Sequence, residues 1–166
     1  MKYLILLRHG PAGKGETDFA RKLTPQGQEA ALARGQLLKE KLAAAGYPGP
    51  DLILSSPAVR AFETASRIQE GLGKGGPKIK VIRDLYLPGP DLCLLILREQ
   101  KEAPCLILCS HNPGISDLGK TLFPWQGNLP PLGVLAGRLG VDSWEALSPG
   151  GGFKPGSGLL DFSLED

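Results

Sequence analysis

Five consecutive apolar residues, Tyr3-Leu4-Ile5-Leu6-Leu7, are followed at once by Arg8-His9 and by the breakers Gly10-Pro11. A short apolar run bounded by turn residues predicts a buried strand over about 2–8 that ends in a tight loop. The same construction returns at Leu52-Ile53-Leu54-Ser55, ahead of Ser56-Pro57, and at Leu106-Ile107-Leu108-Cys109, ahead of Ser110-His111-Asn112-Pro113. Between these runs the spacing turns helical. Thr24-Pro25 predicts a helix to about Ala45, with Thr24 as cap and the proline in the first turn, where no N–H is missed. Gly46 and Pro48 close it. A second helix is predicted behind Ser56 as its cap, with Ala58, Phe62, Ala65, Ile68 and Leu72 on the buried face. The rest reads as a strand over 79–82, a helix near 91–101 and a strand over 104–109. A helix started by Asn112-Pro113 follows, then a strand through 134–136, a segment around Trp144 and a last strand over 159–163.

Strands that alternate with helices imply right-handed crossovers, so the expected fold is an α/β protein with helices on both faces of a mostly parallel central sheet. The later strands are expected to add antiparallel pairing at one edge. At 166 residues the chain reads as a single domain spanning 1–166. Hydrophobic content of 42% and a net charge of +2 describe an ordinary globular protein with no basic surplus for a nucleic-acid partner. No apolar run is long enough for a bilayer and no leader pattern precedes the first strand, so no membrane partner and a cytoplasmic location are expected. The three cysteines fit a reducing compartment: Cys105 and Cys109 share a strand face but stand roughly 13 Å apart, too far for a disulfide. They are expected as buried thiols. Much of the high glycine and proline content falls in Ser148–Gly158, read as an irregular surface connection.

The chemistry gathers at the strand ends. Both histidines of the chain, His9 and His111, lie just past predicted strands, where open α/β sheets build their ligand sites. With Arg8 and Arg60 they form a cationic cluster on three crossover loops, suited to a single phosphoryl group. His9 is the candidate nucleophile, provided one ring nitrogen is bare and the other donates to a fixed acceptor. Arg60 is expected in the first turn of a helix, where the macrodipole disfavours a cation, and a bound anion reverses that sign. Its alternative is a surface pair with Glu63. His111 is placed to stabilise charge spreading over a transferring phosphoryl group. Asn112 is read as a helix cap. Arg21 reads equally as a third phosphate contact or a solvated loop charge. Asp18 is the candidate general acid, against the alternative of a solvated loop carboxylate. No metal-ligand spacing and no cofactor motif occur.

Three segments in order carry a resemblance: Arg8-His9-Gly10, then Ser55-Ser56-Pro57-Ala58-Val59-Arg60-Ala61-Phe62-Glu63-Thr64-Ala65, then Ser110-His111-Asn112-Pro113. Together they resemble the histidine phosphatase superfamily. The short length and Asp18-Phe19-Ala20-Arg21-Lys22-Leu23-Thr24-Pro25-Gln26-Gly27 are similar to its small bacterial SixA-type branch, the phosphohistidine phosphatases, with Lys22 where proline is usual. The resemblance implies a phosphoglycerate mutase-like three-layer α/β/α sandwich. It implies a metal-independent phosphatase with His9 as phospho-accepting nucleophile, Arg8, Arg60 and His111 as the phosphate pocket, and Arg21 as a further contact. The implied substrate is a phosphorylated histidine-containing protein or a small phosphorylated molecule. Hydrolysis of small phosphomonoesters is the alternative within that chemistry, and a non-catalytic phosphate-sensing or protein-binding module is the alternative outside it. Larger members carry a catalytic acid on an insertion between strands two and four, for which this chain has room only from Lys78 to Gln100.

Overall fold

In β1 (Lys2–Arg8), Leu4, Ile5, Leu6 and Leu7 are all fully buried. Alternate residues of a strand point to opposite faces, so such a run needs cover on both sides. The computed structural model, which describes residues 1–166, shows that cover. Helices α1 (Pro25–Ala44) and α2 (Val59–Leu72) pack over Ile5, Leu7, Ile53 and Ile107. Helices α3 (Pro90–Arg98) and α4 (Gly114–Leu122) pack over Leu4, Leu6, Leu54 and Leu106 on the other face. The result is the expected α/β/α sandwich.

The remaining strands are β2 (Leu52–Ser55), β3 (Lys78–Val81), β4 (Cys105–Ser110), β5 (Val134–Leu139) and β6 (Leu159–Leu164). Their order across the sheet is β3-β2-β4-β1-β5-β6. Strands β1 to β4 are mutually parallel, while β5 runs antiparallel to β1 and β6 antiparallel to β5. Register decides what the sheet presents. Arg8 pairs with Ser110 and Ser55 with Cys109, so the C-terminal ends of β1, β2 and β4 finish within one residue of each other. His9, Ser56 and His111 therefore emerge side by side from adjacent strands.

Thr24 caps α1 as expected, its Oγ1 accepting from the Gly27 N–H at 2.9 Å. Several boundaries differ from the sequence reading. Ser56 does not cap α2, which starts three residues later with Ala58 as cap residue. A residue before proline is driven from the helical region, so the chain stays extended through Ser56-Pro57 before it coils. The Val59 N–H is met instead by the Phe19 carbonyl at 3.2 Å. Phe62 is exposed, and Ala61 takes the buried position on that helix. Asn112 is not a cap either: its amide donates to the Leu129 carbonyl at 2.9 Å and its oxygen accepts from the Ser116 hydroxyl. Helix α3 stops at Arg98, and β5 extends to Leu139. The crossing of α1 and α2 was not legible at all. It rests on Gly35 and Gly71, where a Cβ on Gly71 would stand 2.7 Å from the Gln36 nitrogen and the Leu32 carbonyl oxygen. Cys93, Cys105 and Cys109 are free and buried, and burial pushes their thiols up to about 12. No helix is long and apolar enough to cross a membrane.

Candidate active site

The strand ends bring Arg8, His9, Arg60 and His111 together, with Arg60 and His111 almost wholly buried. The two imidazole rings stand 5.1 Å apart, centroid to centroid. Arg60 lies between them: its Nε is 3.3 Å from His9 Nε2 and an Nη is 3.4 Å from His111 Nδ1. A guanidinium can only donate, so both of those ring nitrogens are acceptors. The other nitrogen of each ring must then carry the proton. His9 Nδ1 donates to the Gly10 carbonyl at 2.8 Å, and His111 Nε2 donates to the Ser56 hydroxyl at 2.7 Å. One arginine thereby assigns both tautomers. It leaves His9 Nε2 with the bare lone pair that a nucleophile at phosphorus requires.

The support behind these groups comes from the middle motif. Thr64, one turn after Arg60, donates to the Arg60 carbonyl at 2.7 Å and accepts from the Gly10 N–H at 3.0 Å. This holds Gly10, the residue whose carbonyl fixes His9. Ser56 is fully buried, and its Oγ also accepts from the Ala58 N–H at 3.2 Å. Neither residue was singled out for this work from the sequence. For Thr64 a signal existed, since a position four beyond Arg60 shares its helix face. Glu63 does not pair with Arg60, and accepts from the Leu23 N–H and the Gln28 amide at 2.9 Å each. Arg8 donates to the Leu129 carbonyl at 3.0 Å, while its Nε is buried with no protein partner.

Asp18 and Arg21 reach the cluster from the loop after β1. The Asp18 carboxylate accepts from Arg60 at 3.0 Å, from Arg21 at 3.2 Å and from the Tyr86 hydroxyl at 2.7 Å. The Asp18 carbonyl takes a further bond from Arg60 at 2.7 Å. Arg21 also donates from Nε to the Gly13 carbonyl at 2.8 Å, which ties the loop together. Asp18 is thus tied to the cluster by these contacts, although its side chain remains about half exposed to solvent. Its pKa is held down to about 2, first by the Tyr86 hydroxyl and then by Arg21 and Arg60. A carboxyl held that low is ionised at neutral pH when the site holds no phosphoryl group. Tyr86 is a third residue that sequence reasoning missed, because it reaches the site from a segment distant in the chain.

Burial is the main force that lowers the His9 pKa to about 4, with Arg60, Arg8 and Arg21 adding to it and the Gly10 carbonyl opposing. Burial likewise lowers His111 to about 3, helped by His9 and Arg60. Both rings are neutral at pH 7. In an unfolded chain His9 takes a proton near its ordinary value of 6.5, whereas the folded chain resists until about pH 4. The unfolded state binds more protons across that interval, so stability falls as pH falls through it. NMR titration of the free protein is expected to show neither imidazole protonating above pH 5. A ring that titrates near 6.5 contradicts the burial described.

No protein-family model matches the chain. A SixA phosphohistidine phosphatase homologue from Haemophilus influenzae is 38% identical over 68 residues, a match covering 40% of this chain and 42% of that relative. The match thus spans less than half of the relative's length. Solved structures match along the whole chain. A SixA-type protein from Agrobacterium tumefaciens superposes with a TM-score of 0.76 at 24% identity, covering 99% of this chain and 98% of that one. A protein histidine phosphatase SixA complexed with tungstate gives 0.75 at 18% identity, with 98% and 96% covered. A mycobacterial glucosyl-3-phosphoglycerate phosphatase gives 0.61 at 17% identity, with 96% and 97% covered. The fold is that of the histidine phosphatase superfamily, the phosphoglycerate mutase-like class. Within that class, neighbours of this chain in both sequence and structure are SixA phosphohistidine phosphatases.

Proposed function

We propose that this chain is a phosphatase that takes a phosphoryl group onto His9 and passes it to water, and that its substrate is phosphohistidine carried by a protein. The observation that carries this is the His9 geometry: Nδ1–H fixed on the Gly10 carbonyl and a bare Nε2 facing Arg60. The Nε2 lone pair attacks phosphorus while the P–N bond of the substrate breaks. The bonding pair returns to the substrate imidazole, which keeps a proton on its other nitrogen and departs neutral. Phosphorylated His9 is the same kind of group, since Gly10 keeps the proton on Nδ1. Water then attacks phosphorus, the P–Nε2 bond breaks with its electrons returning to Nε2, and the water proton leaves with the phosphate products. Neither departure needs a strong acid, which suits a site whose nearest carboxyl is ionised.

Arg8, Arg60 and Arg21 supply the positive charge that the transferring group needs. An arriving dianion raises the proton affinity of His111 and turns Nδ1 into a further donor. With this charge already supplied by side chains, we read the reaction as metal-independent. We also read the chain as one domain acting in the cytoplasm, where its buried thiols stay reduced. The test is hydrolysis of a phosphohistidine peptide, measured with excess chelator. Turnover that survives the chelator supports the reading. Loss of turnover with return on added Mg²⁺ overturns metal independence. Turnover of sugar phosphates alone overturns the substrate assignment.

Asp18 has a separate expected outcome. Its carboxylate competes with phosphate for Arg60 and Arg21, so Asp18→Asn should bind inorganic phosphate more tightly, by roughly threefold to tenfold at low salt. Its hydrolysis rates should change little between good and poor leaving groups. A selective loss of about 10²-fold on poor leaving groups would restore the acid role.

A further inference from the structure

We propose that Phe19, Tyr86 and Leu87 form a leaving-group subsite that receives the imidazole of a protein-borne phosphohistidine and the apolar side chains beside it. The proposal rests on the phosphatase reading above and names what recognises the substrate beyond its phosphoryl group. A cavity of about 390 Å³ is lined by Phe19, Pro57, Leu87, Pro88 and Leu92, by the charged Arg83 and Asp84, and by Tyr86, whose ring connects it to His111. Large apolar side chains are normally withdrawn from water, yet Phe19 is 40% exposed and Leu87 53% exposed. Leu87 also holds a φ of 49°, a left-handed conformation unfavourable for a leucine. Strain of this kind persists where the surroundings impose it, and it gathers at binding sites.

The wall is fixed without a ligand. The Phe19 carbonyl accepts the first N–H of α2, and the Tyr86 hydroxyl is bound to Asp18. The Ser110 hydroxyl donates to the Leu85 carbonyl at 3.0 Å, which ties the Tyr86 segment to the end of β4. Phe19 meets Tyr86 edge-on at 5.1 Å, and Tyr86 meets the His111 ring edge-on at 5.7 Å. The aromatic surface is thus continuous with a ring of the phosphoryl site. A group bonded to a phosphorus held there has this wall beside it.

The lining decides the class of occupant. Over the wall made by Phe19, Tyr86 and Leu87, away from Arg83 and Asp84, the hydroxyls of a sugar or polyol lose water and find apolar surface in return, which is unfavourable. An imidazole ring packs favourably against aromatic edges and faces, and the groove accepts the apolar neighbours of a histidine in a polypeptide. A wall that is already rigid loses little freedom on binding, so its contacts are expressed in affinity.

The experiment compares three phosphoryl donors, a phosphohistidine peptide, free phosphoimidazole and acetyl phosphate, on wild type, Phe19→Ala, Phe19→Tyr and Leu87→Ser. With Phe19→Ala and Leu87→Ser, KM for the peptide should rise about tenfold while kcat stays within about threefold, the scale of one lost aromatic or aliphatic contact. Phe19→Tyr should restore the peptide KM. Inhibition by tungstate should shift less than about threefold in every variant, which reports an intact phosphoryl pocket. Equal losses on peptide and acetyl phosphate, or an unchanged peptide KM, overturn the subsite. Losses on phosphoimidazole that match those on the peptide leave the ring contact standing and overturn the contact with neighbouring side chains. Wild type that hydrolyses neither phosphoramidate overturns the substrate reading itself, whatever the variants do.

Discussion

His9→Ala should abolish turnover, by a factor on the order of 10⁴ or more, while leaving inorganic phosphate bound. The nucleophile is then gone, but Arg8, Arg60 and Arg21 remain. Arg60 stays anchored through two bonds to residue 18, one to the carbonyl at 2.7 Å and one to the carboxylate at 3.0 Å. Phosphate affinity is expected within about tenfold of wild type, because the charge that attracts the dianion is unchanged. Single-turnover assays and calorimetry measure the two quantities separately. Retention of more than a hundredth of the wild-type rate would mean that His9 only helps to bind.

Arg60→Ala should be nearly as severe, costing on the order of 10³-fold in kcat/KM. This side chain sets the tautomers of both histidines, counters charge on the phosphoryl group and anchors the loop that carries Asp18 and Arg21. Arg60→Lys should recover little of that loss. An ammonium can offer charge, but it lacks the planar fork that reaches His9, His111 and residue 18 at once. A further readout separates this from simple loss of charge: in Arg60→Ala, ¹⁵N chemical shifts should report mixed tautomers at His111, whereas wild type shows Nε2–H alone. A lysine variant within tenfold of wild type would reduce Arg60 to a point charge.

Much of this site could be read along the chain because the sheet makes it local. Arg8, His9 and His111 each follow an apolar run directly, and parallel strands in register bring such positions to one edge. Arg60 was legible as a cation placed against a helix dipole. Less legible were the residues that act across the fold. Ser56 looked like a helix cap because serine before an apolar-periodic segment usually is one. Here the following proline keeps it extended, and its hydroxyl turns to His111. Tyr86 meets Asp18 across 68 positions of sequence, a contact that no local pattern encodes. Asp18 was legible as a candidate acid, but the partners that hold its pKa down to about 2, that tyrosine and two arginines, were not. The helix crossing at Gly35 and Gly71 escaped for the same reason, since glycine inside a helical pattern signals weakness before it signals close approach.

The most direct test is to trap the intermediate. A phosphohistidine peptide labelled at phosphorus is mixed with wild-type protein, quenched in alkali within milliseconds and digested. The label should appear on the peptide that contains His9, stable in alkali and lost in acid, and it should be absent from His9→Ala. Label on Ser56, on Asp18 or on a cysteine would contradict the account, and so would rapid release of phosphate with no labelled protein at any time.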